Sequence, residues 1–148
     1  MNREHKQIFR LRLRSNLKNV HRVSTLFKKI NTTAQLPEDV FFRLLISATE
    51  AVNNAIIHGN GCDEKKNVEI LCEIKKTVLV LSVSDEGGGF DLAKIPNPLK
   101  RKNKMKSGGR GIFLMQTLME SVENKKTDNG SVTILKMKLK KNGNVVLY

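Results

Sequence analysis

Tryptophan is absent from this 148-residue chain, tyrosine occurs once, and aromatic residues together make up only 5%. Single-stranded nucleic-acid binders stack bases on aromatic platforms, and this sequence has little from which to build one. Cysteine is nearly as scarce. Cys62 and Cys72 show no CxxC spacing and no Cys/His cluster, which argues against a zinc site and reads as two reduced thiols. Long apolar runs are also missing. The longest uninterrupted aliphatic run is Val78-Leu79-Val80-Leu81, far short of the roughly 20 residues of a membrane span. The basic start has its apolar residues interleaved with arginines, so no secretory apolar segment follows the charges. The expectation is a cytoplasmic protein that does not cross a membrane.

Acidic residues are in short supply as well. Fourteen Asp and Glu face 27 Lys and Arg, a formal net charge of +13 that favours an anionic partner. The surplus is uneven: residues 1–30 hold nine Lys or Arg against Glu4 alone, and residues 94–110 hold seven with no acid. Two basic patches are implied. What is present in ordinary measure is the material of a core. Hydrophobic residues make up 39%, and a chain of this length forms one domain that needs no disulfide or metal to fold.

Ile8 to Arg14 alternates, with Phe9, Leu11 and Leu13 on one face and Arg10, Arg12 and Arg14 on the other, the pattern of a half-buried strand. Ser15 or Asn16 caps a helix predicted to about Ile30 and broken by Asn31-Thr32-Thr33. Pro37-Glu38-Asp39 starts a longer helix to about His58, with acids at the positive end of its dipole. Gly59, Asn60 and Gly61 are read as its stop, by left-handed conformation. Strands follow at 67–75 and 77–85, then a glycine-opened loop from Gly87 to Gly109, a helix at 111–119, and strands near 121–125 and 131–140. Helices and strands grouped in this way make an α+β sandwich rather than a doubly wound sheet.

Three clusters carry chemistry. On the long helix Arg43, Ser47, Glu50, Asn54 and His58 fall on one stripe, opposite Phe41, Leu45, Ala48, Val52, Ala55 and Ile56. Glu50 and Asn54 are one turn apart, so their oxygens can converge: a carboxylate able to take a proton, and an amide oxygen suited to Mg²⁺. Asp85 ends a strand before Glu86-Gly87-Gly88-Gly89, where a carboxylate can accept from an exocyclic amine such as that of adenine. Gly108-Gly109-Arg110-Gly111 precedes a helix whose N–H groups can face phosphate. It matches neither the Walker loop nor the dinucleotide fingerprint.

In this order, Glu50-x-x-x-Asn54-Ala55-x-x-His58-Gly59, Asp85-x-Gly87-x-Gly89 and Gly109-x-Gly111 resemble the N, G1 and G2 boxes of the GHKL ATPase superfamily. The stretch from Glu50 to Gly59 looks most like the RsbW-type anti-sigma factors that are also serine kinases. The resemblance implies a Bergerat-type two-layer α/β sandwich with a mixed, mostly antiparallel sheet, binding ATP and Mg²⁺ under a lid at about 91–110. It implies Glu50 as catalytic base and Asn54 as Mg²⁺ ligand. Asp85 becomes the adenine acceptor, with Gly87, Gly89, Gly108, Gly109, Arg110 and Gly111 in the nucleotide loops. His58 and Gly59 close the N box. The implied function is a serine/threonine protein kinase that phosphorylates an anti-anti-sigma-like, STAS-type partner and sequesters a sigma factor. The alternative is a non-catalytic ATP/ADP-binding regulatory module. A homodimer is compatible with either, and nucleic acid is not the expected partner.

Overall fold

The computed structural model describes residues 6–88 and 109–139. Gly89, Gly108 and most of the expected lid lie outside the described residues. Five strands, β1 (Gln7–Arg14), β2 (Asn67–Ile74), β3 (Val78–Asp85), β4 (Ser121–Thr127) and β5 (Gly130–Lys138), form one sheet in the order β1-β2-β3-β5-β4. All four ladders are antiparallel, so the described sheet is not mixed. Three helices, α1 (His21–Ala34), α2 (Glu38–Asn54) and α3 (Gly109–Leu118), pack on one face.

Alternation decides which face. Leu13 of β1, Val68 and Ile70 of β2, Leu79 and Leu81 of β3, and Leu135 and Met137 of β5 point into the core. They meet Val23, Phe27 and Ile30 of α1, Leu44, Ala48 and Val52 of α2, and Ile112 and Met115 of α3. Each large side chain buried there contributes about 1.5–3 kcal/mol. Cys72 belongs to this core, and burial pushes its thiol up to about 12, out of reach of thiolate chemistry. The stretch Glu38–Gly59 has the length and apolar composition of a membrane span, but half of it is buried in the fold, as in a core helix.

Three local expectations change. A single 3-10 turn at Leu17–Asn19, capped by Asn16, precedes α1, and α1 runs through Asn31-Thr32-Thr33 to Ala34. It stops because Gln35 turns left-handed at φ 49° while the Asn31 side chain accepts the Leu36 N–H at 2.8 Å. The helix α3 begins two residues early, placing Gly109 and Arg110 in its first turn rather than in a lid. The single basic patch expected within residues 1–30 divides around β1. Arg10, Arg12 and Arg14 lie on the open face of the sheet, and α1 packs beside Leu13 on the covered one.

Candidate functional site

At one end of the sheet the inward-facing positions turn from apolar to polar. Leu79, Leu81 and Val83 put Asp85, last residue of β3, in the inward phase, where it is 6% exposed. Register pairs Asp85 with Ser131 at the start of β5, and residues directly opposite in an antiparallel ladder share a face. Ser131 Oγ lies 3.0 Å from both carboxylate oxygens, and the Gly87 N–H donates to Oδ1 at 2.8 Å. Ser131 was not among the sequence candidates. Its pairing with Asp85 is a contact 46 residues apart that no local signal announces.

The end of α2 closes over this carboxylate. After Asn54 the helix widens into a π turn, Ala55–Gly59, with the Asn60 N–H donating to Ala55 O at 2.8 Å. Such turns recur at functional sites. The wide turn seats Gly59 so that a Cβ there would lie 2.5 Å from Asp85 Oδ2. A Cβ on Gly87 would in turn collide with the Gly59 carbonyl. Both glycines serve close approach between the N-box end and the G1 turn. The left-handed residues that redirect the chain are Gly61 and Cys62, at φ 60° and 57°. Asn60 has φ −98° and is no left-handed stop. His58 is exposed on the turn, and among the described residues no side-chain hydrogen bond ties its ring to the helix end.

The polar stripe of α2 is not a solvated face. Ser47 is fully buried and Asn54 is 7% exposed, because α3 packs antiparallel along them. Arg43 Nε donates to the carbonyl of Leu118 at 3.0 Å, capping the negative end of α3 with a cation. At the other end of α3 a Cβ on Gly111 would strike Glu50 Oε2 and lie 3.6 Å from Asn54 Nδ2. Gly111 therefore lets the first turn of α3 reach the Glu50–Asn54 pair. The structure thus joins two clusters, Asp85 with Gly59 and Gly87, and Glu50 with Asn54 and Gly111, through the single helix α2.

Ser47 Oγ and Asn54 Nδ2 are buried with no hydrogen-bond partner among the described residues. A buried polar atom left without a partner costs about 1–3 kcal/mol. The two ends of an amide exchange by rotation, so Asn54 has an unpaired polar end beside a carboxylate, as a ligand for a hard cation requires. Among the described residues no three His, Cys, Asp or Glu side chains converge into a metal cage. These residues fit an Mg²⁺ held by one or two protein oxygens together with a nucleotide's phosphates.

A family model for the histidine kinase-like ATPase domain matches residues 13–137. The chain is 38% identical over 96 residues to an anti-sigma F factor of Clostridium perfringens, covering 63% of this chain and 69% of that one. It is 30% identical over 129 residues to an anti-sigma F factor of Bacillus cereus, covering 86% and 85%. The serine-protein kinase RsbW of Oceanobacillus iheyensis is 30% identical over 86 residues, 54% of each chain. Among solved structures, the catalytic domain of the histidine kinase ThkA superposes with a TM-score of 0.53 at 19% identity, covering 93% of this chain and 99% of that one. With the described residues of its three boxes brought together along α2 and its π turn, the chain belongs to the histidine kinase-like ATPase family, in the branch of the RsbW-type anti-sigma factors.

Proposed function

We propose that the protein binds Mg·ATP, phosphorylates a serine or threonine of an anti-anti-sigma-like, STAS-type partner and sequesters a sigma factor. The observation that carries the reading is the convergence on α2 of an adenine-type acceptor at one end and a carboxylate–amide pair one to two turns earlier. Asp85 has its carboxylate oriented by Ser131 and Gly87, leaving acceptor capacity for an exocyclic amine. Guanine presents a carbonyl there, which would set two acceptors face to face. Asn54 would hold the metal, whose chemistry is to neutralise phosphate charge. Glu50 accepts the hydroxyl proton of the acceptor residue as its oxygen bonds to the terminal phosphorus, the bridging P–O bond breaks and ADP leaves. The names carried by the relatives, anti-sigma F factor and serine-protein kinase, support this substrate class.

Calorimetry with ATP and GTP tests the nucleotide half, and incubation with labelled ATP and candidate partners tests the transfer. ATP is expected to bind in an Mg²⁺-dependent manner with GTP rejected, and Asp85→Asn to weaken ATP while the fold persists. Equal affinity for the two nucleotides sinks the adenine assignment. Nucleotide binding without transfer to any partner would favour the non-catalytic regulatory module.

A further inference from the structure

We infer that Asn60 is a positioning residue for nucleotide recognition, whose side-chain amide holds the turn that presents Asp85. It follows the Asp85-facing Gly59 and was expected only to end a helix. In the structure it is 3% exposed and nearly saturated with hydrogen bonds. Its Oδ1 accepts the Glu86 N–H at 2.7 Å, and its Nδ2 donates to Ser15 Oγ at 2.8 Å and to the carbonyl of Asn67 at 3.0 Å. The Glu86 carboxylate accepts the Asn67 N–H, closing a ring of three residues. Ser15 Oγ passes its own proton on to the carbonyl of Lys66 at 2.8 Å. One amide thus ties together the end of β1, the start of β2 and the residue after β3.

The consequence lies in what flanks the amide. Gly59 presses on the Asp85 carboxylate and its carbonyl abuts Gly87, so residues 59–60 engage residues 85–87 at three successive points. The two glycine contacts are close van der Waals approaches, individually weak and without direction, that a Cβ would turn into overlaps. The directional bond between residues 59–60 and residues 85–87 is the one from the Glu86 N–H to the Asn60 amide oxygen. It sets the distance between α2, which carries Glu50 and Asn54, and the strand end that carries Asp85. The π turn makes this possible, since one extra residue in the turn brings Asn60 inward while His58 stays in solvent.

This inference rests on the proposed ATP site, and its test separates the two. Amide exchange at Glu86 in nucleotide-free protein reports the turn itself. ATP affinity and the ATP-to-GTP ratio, measured well below each variant's own melting temperature, report recognition. Asn60→Ala is expected to speed Glu86 exchange, to weaken ATP by about tenfold, the value of one net hydrogen bond, and to narrow the ratio. Asn60→Asp keeps an acceptor for Glu86 and loses the donors to Ser15 and Asn67. It should melt earlier yet keep Glu86 protected and the ratio wide. A role in stability alone would lower both melting temperatures and leave affinity and ratio at wild-type values, and that result overturns the inference. So does unchanged Glu86 exchange in Asn60→Ala, or, should that variant not fold, a narrowed ratio in Asn60→Asp with Glu86 still protected. Failure of the wild-type protein to bind ATP would instead reject the site, with Glu86 exchange still reporting the turn.

Discussion

The two faces of this sheet use polar residues in opposite ways. On the covered face, Asp85, Ser131, Asn60 and Ser15 are short, buried and joined by hydrogen bonds of 2.7–3.0 Å. On the open face, Arg10, Arg12 and Arg14 project from β1, and a shallow groove of about 310 Å³ is lined by Arg10, Arg12, Glu69, Leu71, Ser82 and Ser84. The ion pairs there are surface pairs. Arg12 Nε is 3.6 Å from Glu69, with both side chains more than half exposed, and Lys6 Nζ is 2.7 Å from Glu73. Burial raises the cost of every misplaced polar atom, so the covered end is preorganised. Solvent screens the open face, so its charge acts at a distance and affects encounter more than stability.

Substitutions in the two regions should therefore differ in kind. The largest effect is expected from Glu50→Gln, which should keep ATP affinity and lose phosphoryl transfer by about 10²–10⁴-fold, the usual contribution of a positioned base. Undiminished transfer in a single-turnover assay would remove Glu50 from that role. Next comes Gly87→Ala, whose new Cβ meets the backbone carbonyl of Gly59 rather than a yielding side chain. Overpacking of this kind costs about 1–3 kcal/mol. Gly88→Ala has nothing within 4 Å of its Cβ and serves as the control. Denaturant melts giving equal losses for the two would show that the close approach of Gly87 to Gly59 is not what makes the turn intolerant.

On the open face, Arg12→Glu should leave stability within about 0.5 kcal/mol and slow association with an acidic protein partner by roughly tenfold at low salt, the difference fading as salt rises. Excess duplex DNA or RNA should not displace that partner. Displacement at physiological salt would turn the face into a nucleic-acid surface. The smallest effect belongs to Glu73. Its hydrogen bond with Lys6 holds the carboxyl below the ordinary value of 4.5, so the folded state binds that proton more weakly than the unfolded one. The pair's contribution is present above the ordinary carboxylate value and is lost as pH falls through the lowered one. Glu73→Gln should flatten the stability–pH curve only in that acid window, by well under about 1 kcal/mol because solvent screens the pair. A change of slope near neutrality would point to another group.

Most of the architecture was legible from periodicity. The alternation of β1, the apolar faces of β2 and β3, the last pair of strands and the long helix after Pro37 are all local patterns, and the structure keeps each element in place. The misreadings have a common cause. Asn31-Thr32-Thr33 looked like a break, but side chains that can compete with a helix can also cap it, and Asn31 does so from within. Gly59, Asn60 and Gly61 looked like a left-handed stop, yet Asn60 has φ −98° and folds inward through the π turn.

What the sequence alone determined is the set of boxes and the phase of each strand: Asp85 faces inward because Leu79, Leu81 and Val83 do. Helical spacing likewise places Glu50 beside Asn54. Only the tertiary structure decided which residues those groups meet. Ser131 reaches Asp85 through the β3–β5 register, Gly111 reaches Glu50 through the packing of α3 on α2, and Asn60 reaches Glu86 through a π turn. Each of these contacts joins segments separated by 26 to 61 residues. Local propensity carries no information across such distances; close packing, with its intolerance of both voids and overlaps, supplies it.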